Sequence, residues 1–267
     1  MTASYSTGDI DDAAPPPIPA DRPAEPHQTN APLKTPGGSR LLTYSDKVID
    51  SSPSKTGVPR PTTTTDRLLE EACAHLIKTD PRLKPVIEKH HCRIFSPEGL
   101  AEEVDPFRSL SSGIIAQQVS GAAAKSIKNK FVGLFNPAPA DGKESSQQAV
   151  SFPTPAQVAA CEVTFLRQAG LSGRKAEYIK GLAEKFVGGE LNAEMLIRAG
   201  DEEVLEKLTA VRGLGKWSVE MFACFGLKRM DVFSTGDLGV QYVFPSAAGY
   251  TGSLLIILQK GHGCTYG

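Results

Sequence analysis

The sequence predicts an all-α fold, on three observations. Apolar residues recur at three- and four-residue spacing in run after run, and no stretch of useful length alternates apolar with polar. Asp or Thr ahead of proline marks helix starts, as at Asp80 and Thr154. A Gly-Leu-Gly tripeptide at 213–215 separates two of the helical runs and organises the C-terminal half.

Residues 1–65 read as disordered. They hold 11 of the 20 prolines and only Tyr5 and Tyr44 as aromatics, too little apolar surface to offset the entropy of ordering the chain. About 175 residues, 66–241, remain for one folded domain, which is ample for a single core. Asp66 reads as the cap of a helix whose Leu68, Leu69, Ala72, Leu76 and Ile77 share a face, and Asp80 with Pro81 starts another. Adjacent His90 and His91 diverge in direction, so with Cys92 they read as structural or exposed rather than as metal ligands. Residues 105–135 read as helical with a break at Ser120 and Gly121, after which Ala122, Ala123 and Ala124 permit a close neighbour. Residues 136–155, rich in Ala, Pro, Ser and Gln, form a surface insertion within the domain. Helical runs follow at 156–168, 172–187, 193–199 and 202–208.

Val204, Leu205, Leu208 and Val211 before Gly213 fit the buried side of one helix. Trp217, Met221, Phe222 and Phe225 after Gly215 fit that of a second, with Gly226 as its stop. Glycine enters positive φ without steric cost, so the tripeptide lets two helices pack closely. It also leaves the first amides of the second helix pointing outward, where the helix dipole favours a phosphate. Taken alone, the same tripeptide fits an ordinary helical turn.

Composition narrows the function classes. A net charge of −1 supplies no global positive field, which disfavours DNA binding through a broad basic face. A hairpin that grips through backbone amides needs less of it, and Arg212, Lys216, Lys228 and Arg229 flank the turn as local positive charge. The five cysteines (Cys73, Cys92, Cys161, Cys224 and Cys264) show no metal-ligand spacing; an odd number without a secretory signal fits free thiols in a reducing interior. No run approaches the 18 apolar residues of a membrane span.

Four segments carry a family resemblance. Leu208, Val211, Gly213, Leu214, Gly215, Trp217 and Ser218 form the first, and DVFSTGDLG at 231–239 the second. IIAQQVSGAAAKSI at 114–127 and LSGRKAEYIKGLA at 171–183 are the others. Together they resemble the helix-hairpin-helix DNA glycosylases, in the alkylated-base branch of fungal 3-methyladenine type, over residues 66–241. The resemblance implies the helix-hairpin-helix glycosylase fold and double-stranded DNA with alkylated bases as partner. It implies hydrolysis of the N-glycosidic bond of purines such as 3-methyladenine, no cofactor, a monomer, and nuclear residence. It assigns the essential carboxylate to Asp237. It assigns DNA contacts to Arg212, Gly213, Leu214, Gly215, Lys216, Gln117, Gln118 and Ser120, with Gln118 filling the space left by an extruded nucleotide. It also allows a monovalent cation at the carbonyls of Thr209, Val211 and Leu214. The four-cysteine iron–sulfur loop of endonuclease III-like relatives is absent from the sequence.

Breaking a C1′–N bond builds positive charge on the sugar, which a carboxylate stabilises while it orients the attacking water. Asp237 lies 20 residues past Trp217, where the family keeps its aspartate; as an isolated residue it also reads as a helix cap. Asp231 reads as a brace of the loop. Trp217 stands where bifunctional relatives place a Schiff-base lysine, which implies no lyase step. Its face suits an electron-poor alkylated base, although the residue also reads as a core tryptophan. The base pocket is expected from Trp217, Met221, Phe107 and Phe233. Beyond Gln241 the resemblance stops, and 242–267 reads as an atypical tail in place of the family's closing helices, in keeping with an alternatively spliced end. Two other readings therefore stand beside the glycosylase: a non-catalytic helix-hairpin-helix DNA-binding module, and an inactive truncated product.

Overall fold

The computed structural model describes residues 22–25, 27–35, 41–43, 63–136 and 151–242. A short antiparallel hairpin comes first, β1 (Leu33–Lys34) paired with β2 (Leu41–Leu42). Helices follow as α1 (Leu68–Thr79), α2 (Lys84–Lys89), α3 (Pro97–Ala101), α4 (Pro106–Ala116) and α5 (Gly121–Phe135). After the insertion come α6 (Pro155–Ala159), α7 (Val163–Arg167), α8 (Gly173–Val187), α9 (Ala193–Arg198), α10 (Asp201–Thr209) and α11 (Lys216–Met221). A π-helical turn, Phe222–Gly226, extends α11, and residues 238–242 form a last helical turn. Among the described residues the fold is all-α apart from this hairpin and two isolated bridges, Pro23 with Thr64 and Leu33 with Val104.

Helix α8 is the spine. Ala176, Ile179, Ala183 and Phe186 recur at helical spacing and are buried, facing α4, α6 and α7. Phe107, Leu110 and Ile114 of α4, Phe131 of α5, Val158 of α6 and Leu166 of α7 complete that core. The Phe107 ring meets Phe152 and Phe186 edge-on, at centroid distances of 6.0 and 5.6 Å. The predicted starts hold where a short oxygen-bearing side chain caps the helix. Asp105, Ser120, Thr154 and Ser172 each accept an amide of the first turn, and Thr154 with Gln157 forms a full capping box.

Four local expectations are corrected. Helix α1 begins after Arg67, and Asp66 instead accepts the Thr64 hydroxyl, so it caps nothing. The apolar face of α1 buries no residue fully; it lines a shallow groove with Phe95 and Met230. The 156–168 run is two helices, because Glu162 is extended (ψ 148°) and re-aims the chain so that both Val158 and Leu166 enter the core. Ala122 is exposed and Ala123 and Ala124 are only half-buried, so the three do not form a closely covered face. Residues 137–150 of the insertion lie outside the described residues. Its flanks are tied together, since Asn136 Nδ2 donates to the Ser151 carbonyl at 3.0 Å.

The largest correction concerns the head of the chain. Within 1–65, taken above as disordered, residues 27–35 pack as a strap into the domain. Leu33 and Ala31 are fully buried. The Lys34 and Val104 amides exchange bonds with the Val104 and Pro32 carbonyls, at 2.9 and 2.8 Å, and the Asn30 and Ala31 amides both donate to the Leu227 carbonyl. Asn30 is the knot: its Nδ2 donates to the carbonyls of Glu25, Gln28 and Lys228 while its Oδ1 accepts the Glu25 amide. Proline-rich composition hid this, because much of the hold comes from backbone and amide bonds, with Ala31 and Leu33 the apolar residues that the strap buries in the core. Asn30→Ala leaves buried carbonyls unpaired and should lower unfolding free energy by about 2 kcal/mol in a denaturant titration. A change under about 0.5 kcal/mol would show the strap to be peripheral.

Candidate active site

Helices α10 and α11 make the hairpin. Val204, Leu208 and Val211 are buried as expected, and the chain reverses over residues 210–215. Gly213 has φ +94°, and a Cβ there would stand 2.3 Å from Cδ2 of Tyr178 on α8. Glycine is therefore required both by conformation and by the ring packed against it. Gly215 differs: its φ is −84°, and a Cβ would meet nothing. Because α11 starts there with no side-chain cap, its leading amides face outward from an open surface. Arg212 lies over the Tyr178 ring, 5.8 Å from its centroid.

A cavity of about 630 Å³ opens beside the hairpin. Ser109, Leu110 and Gly113 of α4 form one wall, Gln117 and Gln118 the lip, and Trp217, Met221 and Phe225 the facing wall. Those last three are four residues apart and form a row along α11 and its π turn. The row was expected to be buried; instead Trp217 and Phe225 are 49% and 51% exposed. The π turn is closed by the Leu227 amide on the Phe222 carbonyl at 2.9 Å; Phe222 is buried in the core, and Phe225 continues the Trp217–Met221 row along the cavity. Gly226 ends it as predicted, for a packing reason: a Cβ would stand 2.7 Å from the Phe222 ring.

Asp237 is joined to the cavity through Trp217, one of the residues that line it. The Trp217 indole N–H donates to its Oδ2 at 2.8 Å, and the Val240 amide donates to Oδ1 at 3.0 Å. These bonds, the indole's above all, hold the carboxyl below the usual carboxylate range. The loop carrying it is fastened to α11 a second time, where Ser234 Oγ donates to Glu220 Oε2 at 2.5 Å. Trp217 and Glu220, one helical turn apart, thus fix the loop, and the tryptophan both walls the cavity and holds the carboxylate beside it.

Other predicted site residues fall elsewhere. Phe107 is fully buried in the α4–α8 core and touches no part of this cavity. Phe233 lines a separate cavity on another face of α11, with Asp231, Lys216 and Val204. Lys228 and Arg229, read as surface charge near the hairpin, are 4% and 1% exposed. Arg229 binds Asp201 at 2.6 Å and the carbonyls of Ala199 and Leu196 at 2.6 and 3.3 Å. Asp231 stands 3.6 Å from His27, a brace to the strap. Gln117 turns its amide inward, donating to the Gly213 carbonyl at 2.8 Å, and Ser120 caps α5. Gln118 lines the cavity with φ +55°. Leu214 is buried, Lys216 stands 3.9 Å from Glu220, and the Val211 carbonyl accepts the Leu214 amide at 3.1 Å. Sequence reasoning missed Tyr178, Ser109, Gly113 and the cavity-facing position of Phe225; the four-residue spacing of 217, 221 and 225 was the available signal. Trp217→Phe keeps the aromatic wall and removes the bond that depresses Asp237. The carboxyl titration, followed by ¹³C NMR, should move upward, so that protonation sets in at higher pH than in the wild type; an unmoved titration would show that the indole bond does not govern it.

Comparison with known proteins bears on this geometry. The model of the family described as HhH-GPD superfamily base excision DNA repair protein matches residues 111–253, just over half of the chain and twelve residues past Gln241, where the resemblance was expected to stop. A DNA-3-methyladenine glycosylase of Saccharomyces cerevisiae is 38% identical over 174 residues, covering 63% of this chain and 56% of that protein. DNA-3-methyladenine glycosylase 1 of Schizosaccharomyces pombe is 31% identical over 148 residues, covering 55% and 60%. The chain thus spans a little over half the length of these curated relatives. The crystal structure of a DNA-3-methyladenine glycosidase from Bacillus halodurans superposes with a TM-score of 0.53 at 32% identity, over 72% of this chain and 81% of that one. With its hairpin, its helical core and its matched segment in agreement, the chain belongs to the HhH-GPD superfamily of base excision DNA repair proteins.

Proposed function

We propose that this chain hydrolyses the N-glycosidic bond of alkylated purines, 3-methyladenine among them, in double-stranded DNA. It acts as a monofunctional glycosylase, as a monomer, in the nucleus. The observation that carries the reading is the Trp217–Asp237 hydrogen bond, which joins a carboxylate to the wall of an aromatic cavity beside the hairpin. The likeness to DNA-3-methyladenine glycosylases of two yeasts supports the substrate class.

The steps follow from the geometry. The outward amides at the start of α11 take a backbone phosphate next to the lesion. The extruded base enters between the α4 wall and the row of Trp217, Met221 and Phe225, whose aromatic faces attract an electron-poor, often cationic ring. Asp237, kept ionised by the indole bond, stabilises the positive charge that grows on the sugar and orients the water that attacks C1′. Alkylation has already weakened the bond, so the base leaves without a dedicated acid. Position 217 holds no amine, so no Schiff base forms and the strand stays whole.

One observation favours a different reading. Asp237 Oδ1 also caps the helical turn at 238–242 through the Val240 amide, as a purely structural aspartate would in a non-catalytic DNA-binding module. Asp237→Asn separates the two, because asparagine caps as well as aspartate but carries no charge. On methylated duplex DNA the wild type should release free 3-methyladenine and leave abasic sites in unbroken strands. The asparagine variant should melt as the wild type does and excise about 10²- to 10³-fold more slowly. Equal excision by both proteins, or binding without release by the wild type, would favour the module; immediate strand nicking would refute the argument from Trp217.

A further inference from the structure

We infer that Lys175 is a positioning residue for the proposed glycosylase, fastening the lip of the cavity so that Gln118 is held at its mouth. Lys175 lies in the first turn of α8, and its Nζ donates to the carbonyls of Ile115 and Gln117 at 2.8 and 2.6 Å. These carbonyls belong to the last turn and C-cap of α4, where a helix leaves acceptors unpaired and its dipole is negative. The ammonium therefore satisfies and neutralises that end while fixing the peptide plane immediately before Gln118.

Gln118 needs such fixing. Its φ of +55° is unusual for a residue with a Cβ and costs on the order of 1 kcal/mol unless the surroundings enforce it. The Gln117 side chain supplies the second tie, reaching the Gly213 carbonyl at 2.8 Å, and Ser120 supplies the third by capping α5. Residues 117–120 are thereby referenced to α8, to the hairpin and to α5 at once.

The competing role for a lysine here is a direct contact to a DNA phosphate, and Lys175→Met and Lys175→Arg in the full chain distinguish the two. In steady-state excision from a lesion-bearing duplex, Lys175→Met should lower kcat about tenfold or more with KM within twofold. Lys175→Arg, which can still bridge two carbonyls, should restore most of the rate. The salt dependence of binding to an abasic-site duplex should keep its slope in both variants. A slope reduced by about one, with kcat intact, would overturn the inference and make Lys175 a phosphate ligand.

Hydrogen exchange on the free protein separates this inference from the function on which it rests. Lys175→Met should speed amide exchange at residues 117–120 while α8 keeps its protection and the melting temperature holds. Unchanged exchange there would sink the inference even in an active enzyme. A loosened lip in a protein whose wild type excises nothing would sink the glycosylase reading and leave the fastening intact. If Lys175→Met does not fold, Lys175→Gln, whose uncharged and shorter side chain cannot span both carbonyls, is read by the same measurements and criteria.

Discussion

The hydrogen bond from the Trp217 indole to the Asp237 carboxylate joins the two parts of the candidate chemistry, an aromatic wall and a negative charge. Each partner is placed by a different piece of the fold. Trp217 sits on α11, whose direction is set by a hairpin that can close only because Gly213 has no Cβ to meet Tyr178. Asp237 sits on a loop that leaves the π turn at Leu227, and the strap around Asn30 holds that departure point through the Leu227 and Lys228 carbonyls. Moving either anchor separates ring from charge.

The strap also explains a cation that does no surface work. Arg229 is buried and spends its guanidinium on Asp201, on carbonyls of the α9–α10 turn and on His27 and Thr29 of the strap. Removing a guanidinium from water is costly unless it is paired and hydrogen-bonded, so its burial marks a junction where three segments must agree in position. His27 lies between Asp201 and Asp231, at 3.1 and 3.6 Å, on the outer side of the same junction. A net charge near zero thus conceals a distribution in which part of the basic complement is structural; under the proposed function, backbone amides and the residues around the hairpin would supply the nucleic-acid grip.

Much of this was legible in the sequence. The hairpin and the starts of α4, α5, α6 and α8 follow from short-range rules, in which a residue's type and spacing suffice, whereas the register linking Trp217 to Asp237 comes from the family resemblance. What failed depends on packing at long range. Residues 27–35 look like linker by composition, yet their bonds go to Val104 and Leu227, partners that no local pattern names. Phe107 was placed in the pocket for its aromatic ring, but α4 turns it to α8 and offers Ser109, Leu110 and Gly113 to the cavity instead. Phe225 was read as core because its spacing was correct for an α-helix, but the whole row of Trp217, Met221 and Phe225 lines the cavity, a choice of face that spacing alone does not make. Gln117 was weighed between two roles, and its amide is committed to the Gly213 carbonyl.

If the indole and the carboxylate act as one unit, their contributions to excision are not independent, and a double-mutant cycle measures that directly. Single-turnover excision of 3-methyladenine from duplex DNA would be compared in the wild type, Trp217→Phe, Asp237→Asn and the combined variant. The account predicts that the combined variant is no slower than Asp237→Asn alone, since the indole bond has nothing left to orient once the charge is gone. Rate losses that multiply would contradict it, showing that the tryptophan and the aspartate serve the reaction separately.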